Sequence, residues 1–286
     1  MAMAEAADAA DVPDGMSIPD ELARREERLR KIAEARATIE ARAKERYARE
    51  KAEHEAKMAA REAKTAATGK KPGGKPPAPP TEGPLPTDQV NLTDEESRIM
   101  PVAGGGFDQC YNAQAAVAAG SLLVVATDVV QAPNDKNQVE PILEKIGALP
   151  EELGEVEHLL ADTGYFSADN VAACEKAKVE PVIAMGRQPH HPPLSERFAA
   201  AAEAPKDPTP VEAMAYKLKT PAGRALYALR KQTPEPVFGI IKSVLGFRQF
   251  SLRGLEKVRG EWSLVTMAWN LKRMFNLKRT SALAPV

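Results

Sequence analysis

Paired cysteines are missing from this chain: Cys110 and Cys174 stand alone, without the close spacing of a zinc site. So few thiols suit a reducing compartment, where each reads as a small core residue. Also missing is any apolar run of the roughly eighteen residues that a membrane span requires. The Ala-rich, acidic start has neither the positive region nor the apolar stretch of a signal peptide, so the chain is expected in the cytoplasm. The first ninety residues hold almost no bulky apolar groups, which excludes a packed core there. Glycine and proline are absent from Asp20 to Ala67, so nothing interrupts a helix. Acids are scarce at the other end. From Lys217 to Arg279 there are fourteen Lys and Arg against Glu235, Glu256 and Glu261, a local excess of eleven positive charges. The chain as a whole carries a net charge of -1, so this segment is a candidate surface for a polyanion.

With 286 residues, 43% of them hydrophobic, one substantial core and an appendage are within reach. Residues 1–19 show no periodicity and read as a disordered start. Residues 20–67, rich in Ala, Glu, Lys and Arg with Asp20 as N-cap, predict a long charged helix. Its seam is weak: Leu22, Leu29, Ile32 and Ile39 are heptad-spaced, but Arg25 and Arg36 intervene. A two-helix contact over the first half and a solvated helix over the second fit this pattern; a DNA-binding basic helix is the alternative. Residues 68–90 (Pro, Gly and Lys) read as a linker, and 91–279 as the globular part, with a short tail over 280–286.

Within the globular part, Tyr111–Ala118 and Leu122–Val130 predict an antiparallel hairpin, the second strand buried on both faces. Gly104-Gly105-Gly106 reads as a flexible approach to it. A helix follows to Ile146, then a buried strand from Val156 to Ala161, a helix capped by Ser167, and a strand from Val179 to Ala184. This strand–helix–strand order implies a mixed sheet. Residues 188–210 are proline-laden and irregular, and His190-His191 among them reads as exposed loop. Closing helices are expected over Val211–Leu229, Pro234–Leu245 and Leu252–Asn276, with Trp262 and Trp269 as core.

Two acids carry the candidate chemistry. Glu235 falls in the first turn of a helix begun by Thr233 as N-cap and Pro234, with Lys242 two turns further on one face. It reads either as an acid favoured by the helix dipole or as a metal ligand beside phosphate-binding cations. Asp162 directly follows a buried strand, at the carboxyl edge where α/β folds gather ligands, although a turn-forming Asp satisfies the same sequence. Together the two suit a hard ion such as Mg²⁺, which prefers oxygen ligands and offsets charge building on a scissile phosphate.

These residues lie in Tyr227-x2-Arg230-x4-Glu235-x6-Lys242 and Ala161-Asp162-Thr163-Gly164-Tyr165. The chain thereby resembles the carboxyl-terminal two-thirds of a bacterial insertion-sequence transposase of the DDE type. That family's signature is Tyr-x2-Arg-x3-Glu-x6-Lys, so one extra residue here separates Arg230 from Glu235. Asn91-Leu-Thr-Asp94 through Met100, Gly106-Phe107, Tyr111-Asn112-Ala113-Gln114-Ala115 and Gly246-Phe247-Arg248 through Val258 are similar to further family blocks. The resemblance implies an α/β fold: an incomplete RNase H-like mixed sheet with flanking helices, behind the long charged helix and Pro/Gly linker. It implies Asp162 and Glu235 as catalytic, Mg²⁺- or Mn²⁺-binding acids, and Tyr227, Arg230 and Lys242 as DNA-binding groups. Double-stranded DNA, as element ends and target, is the implied partner, and a nucleoid-associated place in the cytoplasm follows.

The family's first aspartate belongs to a strand upstream of the charged helix. Asp14-Gly15-Met16 imitates its dipeptide but follows no apolar strand and is rejected. Asp128 reads as a sheet-end residue and Asp135 as a turn residue. The expectation is an amino-terminally truncated copy, catalytically incomplete alone and with one sheet edge open. Its alternatives are a non-catalytic regulator that binds DNA or pairs with a second copy or an intact transposase, and a nuclease with a substitute acid.

Overall fold

A computed structural model describes residues 17–70, 73–102, 104–186 and 204–283. Residues 1–16, with Asp14-Gly15-Met16, lie outside the described residues, as do most of 188–210, with His190-His191, and the end 284–286. Two compact units divide the chain, 1–95 and 96–286.

The first unit is built on α1 (Ile18–Thr68). Its N-cap is Ser17, whose hydroxyl accepts the Asp20 amide at 3.5 Å; Asp20, expected as the cap, sits in the first turn, where its charge suits the helix dipole. Exposed pairs one turn apart, such as Arg25–Glu21 at 3.1 Å and Arg36–Glu40 at 3.0 Å, line the helix. Gly69 ends it in the left-handed conformation (φ 65°).

The stretch read as a linker then returns along α1. Arg61 donates to the Gly74 carbonyl at 3.2 Å, His54 meets the Pro77 carbonyl at 3.2 Å, and Arg46 donates to the Gly83 carbonyl at 2.7 Å. Thr38 donates to the Glu95 carboxylate at 3.3 Å, and Arg42 to the Glu95 carbonyl. Prolines have no N–H to offer, so a proline-rich strap is held by its carbonyls, for which arginines are apt donors. Pro77, Pro80 and Gly83 are less exposed than their neighbours, the three-residue repeat of a polyproline helix, and Ala43 beneath the strap is 1% exposed. A partly buried ion pair here is a fork: Arg46 donates to both carboxylate oxygens of Asp88 at 2.8 Å.

Burial pushes the Asp88 carboxyl up, but the Arg46 guanidinium and the Leu85 amide outweigh it and hold Asp88 below its ordinary range. A lowered folded-state pKa gives stability that is complete above the ordinary value and lost as pH falls through the folded one. The strap is therefore expected to open below about pH 4. At neutral pH, Arg46→Ala should open it as well. Limited proteolysis over residues 73–95 checks both; an unchanged cleavage pattern in Arg46→Ala refutes the assignment.

In the second unit, β1 (Arg98–Pro101) and β2 (Phe107–Cys110) pair antiparallel. The Gly104–Gly106 stretch is itself the turn between them, with φ of 97°, 91° and 94°, which residues with a side chain rarely adopt. β3 (Asn112–Val117) and β4 (Val124–Val130) form the expected hairpin, Gln114 opposite Asp128. Next come α2 (Val139–Gly147), β5 (His158–Ala161), α3 (Ala168–Lys176) and β6 (Glu180–Ile183), with β5 parallel to β6. Ser167 caps α3 as expected.

The strands among the described residues form three two-stranded sheets, where one mixed sheet was expected. Side chains of the last helix, α7 (Leu255–Leu283), take strand backbone groups instead. Trp262 donates to the Gln114 carbonyl at 2.9 Å, and Asn270 bonds both the N–H and the carbonyl of Val124 at 2.8 Å. The helix expected over Val211–Leu229 is broken at Thr220 into α4 (Pro210–Lys219) and α5 (Pro221–Ala228), because Pro221 cannot continue the hydrogen-bond ladder. A 3₁₀ turn (Leu229–Gln232) leads into α6 (Pro234–Ser243).

Three packing clusters fill this unit, the smallest of them Val139, Leu143, Cys174 and Val179 around α2 and α3. Val124, Val129, Val237, Ile241, Val258, Trp262 and Trp269 join the hairpin to α6 and α7. Ala161, Val171, Val182, Ile183, Met214 and Leu218 join β5, β6, α3 and α4. Cys174 is buried, and burial raises its thiol to about 11, as suits a core residue.

The α4–α5 corner depends on Gly223, where a Cβ would lie 1.9 Å from the Lys217 carbonyl oxygen, while a Cβ at Gly239 in α6 would meet nothing. Chemical denaturation should show Gly223→Ala destabilising by roughly 3 kcal/mol. By contrast, Gly239→Ala should stabilise by about 0.5–1 kcal/mol. Equal effects would contradict this packing.

Candidate functional site

The two sequence-derived acids meet at Arg230. Asp162 follows β5 and opens the 3₁₀ turn Thr163–Tyr165, its Oδ1 accepting the Gly164 amide at 2.9 Å. That is the turn-forming role, and it leaves Oδ2 directed to Arg230 Nη2 at 3.3 Å. The same nitrogen lies 3.4 Å from Glu235 Oε1, so one guanidinium bridges two acids far apart in sequence. Arg230 is mostly buried (19% exposed), whereas the carboxylates of Asp162 (45%) and Glu235 (57%) stay open to solvent.

Glu235 sits in the first turn of α6, behind Pro234. Thr233 does not cap this helix through its side chain. The chain enters α6 from the 3₁₀ turn already in the helical region (φ -112°, ψ -75°), and the Thr233 hydroxyl donates back to the Leu229 carbonyl at 2.6 Å. Tyr227, on α5, borders the same point: burial and the nearby Asp162 and Glu235 carboxylates push its phenol up, Arg230 opposes them, and the net shift is upward. Asp162, Tyr227, Arg230 and Glu235 are thus brought together. Lys242, exposed in the last turn of α6, stands two turns, about 10 Å, along the helix from Glu235.

Of the acids set aside on sequence, Asp128 is held by Lys145 at 2.9 Å and Arg259 at 3.1 Å, a structural pairing at the end of the hairpin. Asp135 is more than a turn residue. Its Oδ1 accepts the side-chain amides of Asn112 (2.8 Å) and Gln114 (2.7 Å), and its Oδ2 would lie 3.5 Å from a Cβ placed on Gly164. Tyr165 completes this side, donating to Gln114 Oε1 at 2.5 Å; burial first, then the charges of Asp135 and Asp162, raise its phenol, which stays neutral. Asn112 and Gln114, the two amides on an otherwise small and apolar strand, were the sequence signal for this network.

The donor set fits a hard divalent ion: two carboxylates, each open to solvent, already converge on one cation. No group of three side chains able to hold a metal occurs among the described residues. Among the described residues no helix is long and apolar enough to cross a membrane.

A small-sheeted α/β unit with an acidic pair beyond a parallel strand, set beside a basic carboxyl-terminal segment, is the class that fold and site define. Within it, the chain belongs to the transposase DDE domain family, whose model matches residues 93–271 and so contains every residue of the site. That membership gives it a function in DNA transposition, within a family that acts on DNA and depends on divalent metal, generally Mg²⁺. No curated protein and no solved structure matches the chain.

Gly164 carries the closest constraint here, since a Cβ would stand 3.0 Å from Asp162 Oδ1. Gly164→Ala is expected to cost about 1 kcal/mol in stability and to displace the Asp162 carboxylate from Arg230. A crystal structure of the variant with the Asp162–Arg230 contact intact would refute this.

Proposed function

We propose that this chain serves metal-dependent DNA cleavage and strand transfer on an RNase H-like catalytic domain, with Asp162 and Glu235 holding Mg²⁺ or Mn²⁺. The observation that carries the reading is the convergence of these two acids on Arg230. Bound between them, a divalent ion would polarise the scissile phosphate and offset its developing charge. Arg230 and Tyr227, at the same point, and Lys242, further along α6, hold phosphate oxygens of the element end. Water attacks phosphorus in line and breaks its bond to the 3′-oxygen at the element end, and the 3′-hydroxyl so released then attacks a target phosphorus, displacing the target's own 3′-oxygen. The exposed cations of the Lys217–Arg279 segment bind flanking backbone.

The chain alone is inferred to lack a third acidic ligand and to bind DNA without cutting it. The pairing of Asp128 with Lys145 and Arg259 supports this, because it removes one substitute. A regulator that pairs through α1 is the second reading, favoured by Leu22, Leu29 and Ile32, which are 55%, 67% and 47% exposed.

The test is DNA binding and cleavage on supercoiled and element-end DNA with Mg²⁺ or Mn²⁺. Expected is salt-sensitive binding, the logarithm of affinity falling with that of salt by about 0.9 per phosphate contacted. Glu235→Ala should bind as well or a few-fold tighter, since a negative charge leaves the surface. Binding indifferent to salt would sink the DNA-contacting reading. Cutting that disappears in Asp162→Ala would show that a substitute for the first acid exists and overturn the inference that the chain does not cut.

A further inference from the structure

Two buried amides grip the Asp162 turn from different sides. Gln114, on β3 and 3% exposed, uses every polar atom of its side chain. Its Nε2 donates to Asn112 Oδ1 at 2.8 Å and Asp135 Oδ1 at 2.7 Å, and its Oε1 accepts the Tyr165 phenol at 2.5 Å. Asn170, on α3 and 5% exposed, donates Nδ2 to the Tyr165 carbonyl and to the Lys136 carbonyl, each at 2.6 Å. Tyr165 is therefore fastened at both ends, by its phenol and by its carbonyl. The segment from Ala132 to Lys136 is fastened too: Asn112 donates to the Ala132 carbonyl at 3.2 Å, and both gripping amides reach Asp135 or Lys136.

This clamp reaches Asp162 through the backbone. The Tyr165 amide donates to the Asp162 carbonyl at 3.1 Å, and the Gly164 amide to its carboxylate at 2.9 Å. Fixing Tyr165 thus fixes the Asp162 turn, and with it the direction of Oδ2. Packing alone gives no reason for the amides, because an apolar side chain is buried at less cost. What an amide adds is direction: once cut off from water it is satisfied only in the one geometry its partners allow.

We propose that Gln114 and Asn170 are positioning residues for Asp162, which lock Tyr165 against the 132–136 segment and so hold the Asp162 carboxylate at the spacing from Glu235 that a divalent ion needs. This rests on the reading of Asp162 and Glu235 as the cation-holding pair. Neither amide touches the ion; both act through Tyr165.

The test is Mn²⁺ binding to the full chain, followed by electron paramagnetic resonance, which requires no catalytic activity. Gln114→Met, close in size but without the amide, is expected to weaken Mn²⁺ about tenfold and to alter the bound ion's hyperfine pattern. Tyr165→Phe, which removes a single hydroxyl, should weaken it a few-fold with circular dichroism and melting temperature nearly unchanged. If Gln114→Met does not fold, Tyr165→Phe and Asn170→Ser decide the matter. Added to Asp162→Ala, none of these changes should cause further loss, because the clamp acts through that residue. Folded variants that bind Mn²⁺ like the unaltered chain would overturn the positioning role while leaving the acid pair standing. A chain that binds no Mn²⁺, or an Asp162→Ala variant that binds it normally, would overturn the acid-pair reading and the clamp with it.

Discussion

Trp262 is the contact on which the second unit turns. Its ring stacks on Phe238 of α6 at 5.6 Å, and its indole N–H takes the Gln114 carbonyl of β3. One side chain therefore sets the helix that bears Glu235 against the strand whose Gln114 grips the Asp162 turn. Truncating a buried Trp to Ala costs about 3–5 kcal/mol, whereas solvent-open ion pairs contribute at most about 1 kcal/mol. The spacing of the two acids is thus fixed by packing around Trp262, and their shared pairing with Arg230 follows from it.

That ordering explains why unlike elements meet at the site. Asp162 belongs to the cluster of β5, β6, α3 and α4, and Glu235 to a helix packed on the hairpin. Side by side, the two carboxylates would repel across a partly desolvated gap. Arg230 resolves this from the 3₁₀ turn between α5 and α6, the element that joins the two clusters along the chain. The residue extra to the family spacing between Arg230 and Glu235 does not part them, because that stretch is wound as 3₁₀ turn and helix, which keeps neighbours in sequence close in space.

Much of this was legible in the sequence, for identifiable reasons. The hairpin of β3 and β4, the acid after β5, Ser167 as a cap and the tryptophans at a seven-residue interval each follow from local rules that tertiary structure left in force, whereas β4, expected to be buried on both faces, pairs with β3 alone and is only partly buried. Three features were not legible. Thr233 has the composition of a cap, but the preceding turn had already brought it into the helical region. The strap carries no apolar periodicity, because its carbonyls are what α1 recognises, and carbonyls are the same in every residue. The division into three small sheets depends on indole and amide groups of α7 bonding strand backbone from more than a hundred residues away. No local pattern encodes that.

The lengths at Arg230 bear on what the acid pair is prepared for. Charge-assisted N–H···O contacts to a carboxylate settle near about 2.7–2.9 Å when the geometry is free to optimise. Arg46 and Asp88 in the first unit reach that value on both oxygens, 2.8 Å each. Arg230 does not, standing at 3.3 and 3.4 Å from its two acids, with one nitrogen divided between them. Asp162 is restrained by its turn and Glu235 by the helix packed beneath it, so neither closes on the arginine. Held apart by packing and only loosely neutralised, these carboxylates keep lone pairs that Arg230 does not take, which is what the proposed cation site requires of them.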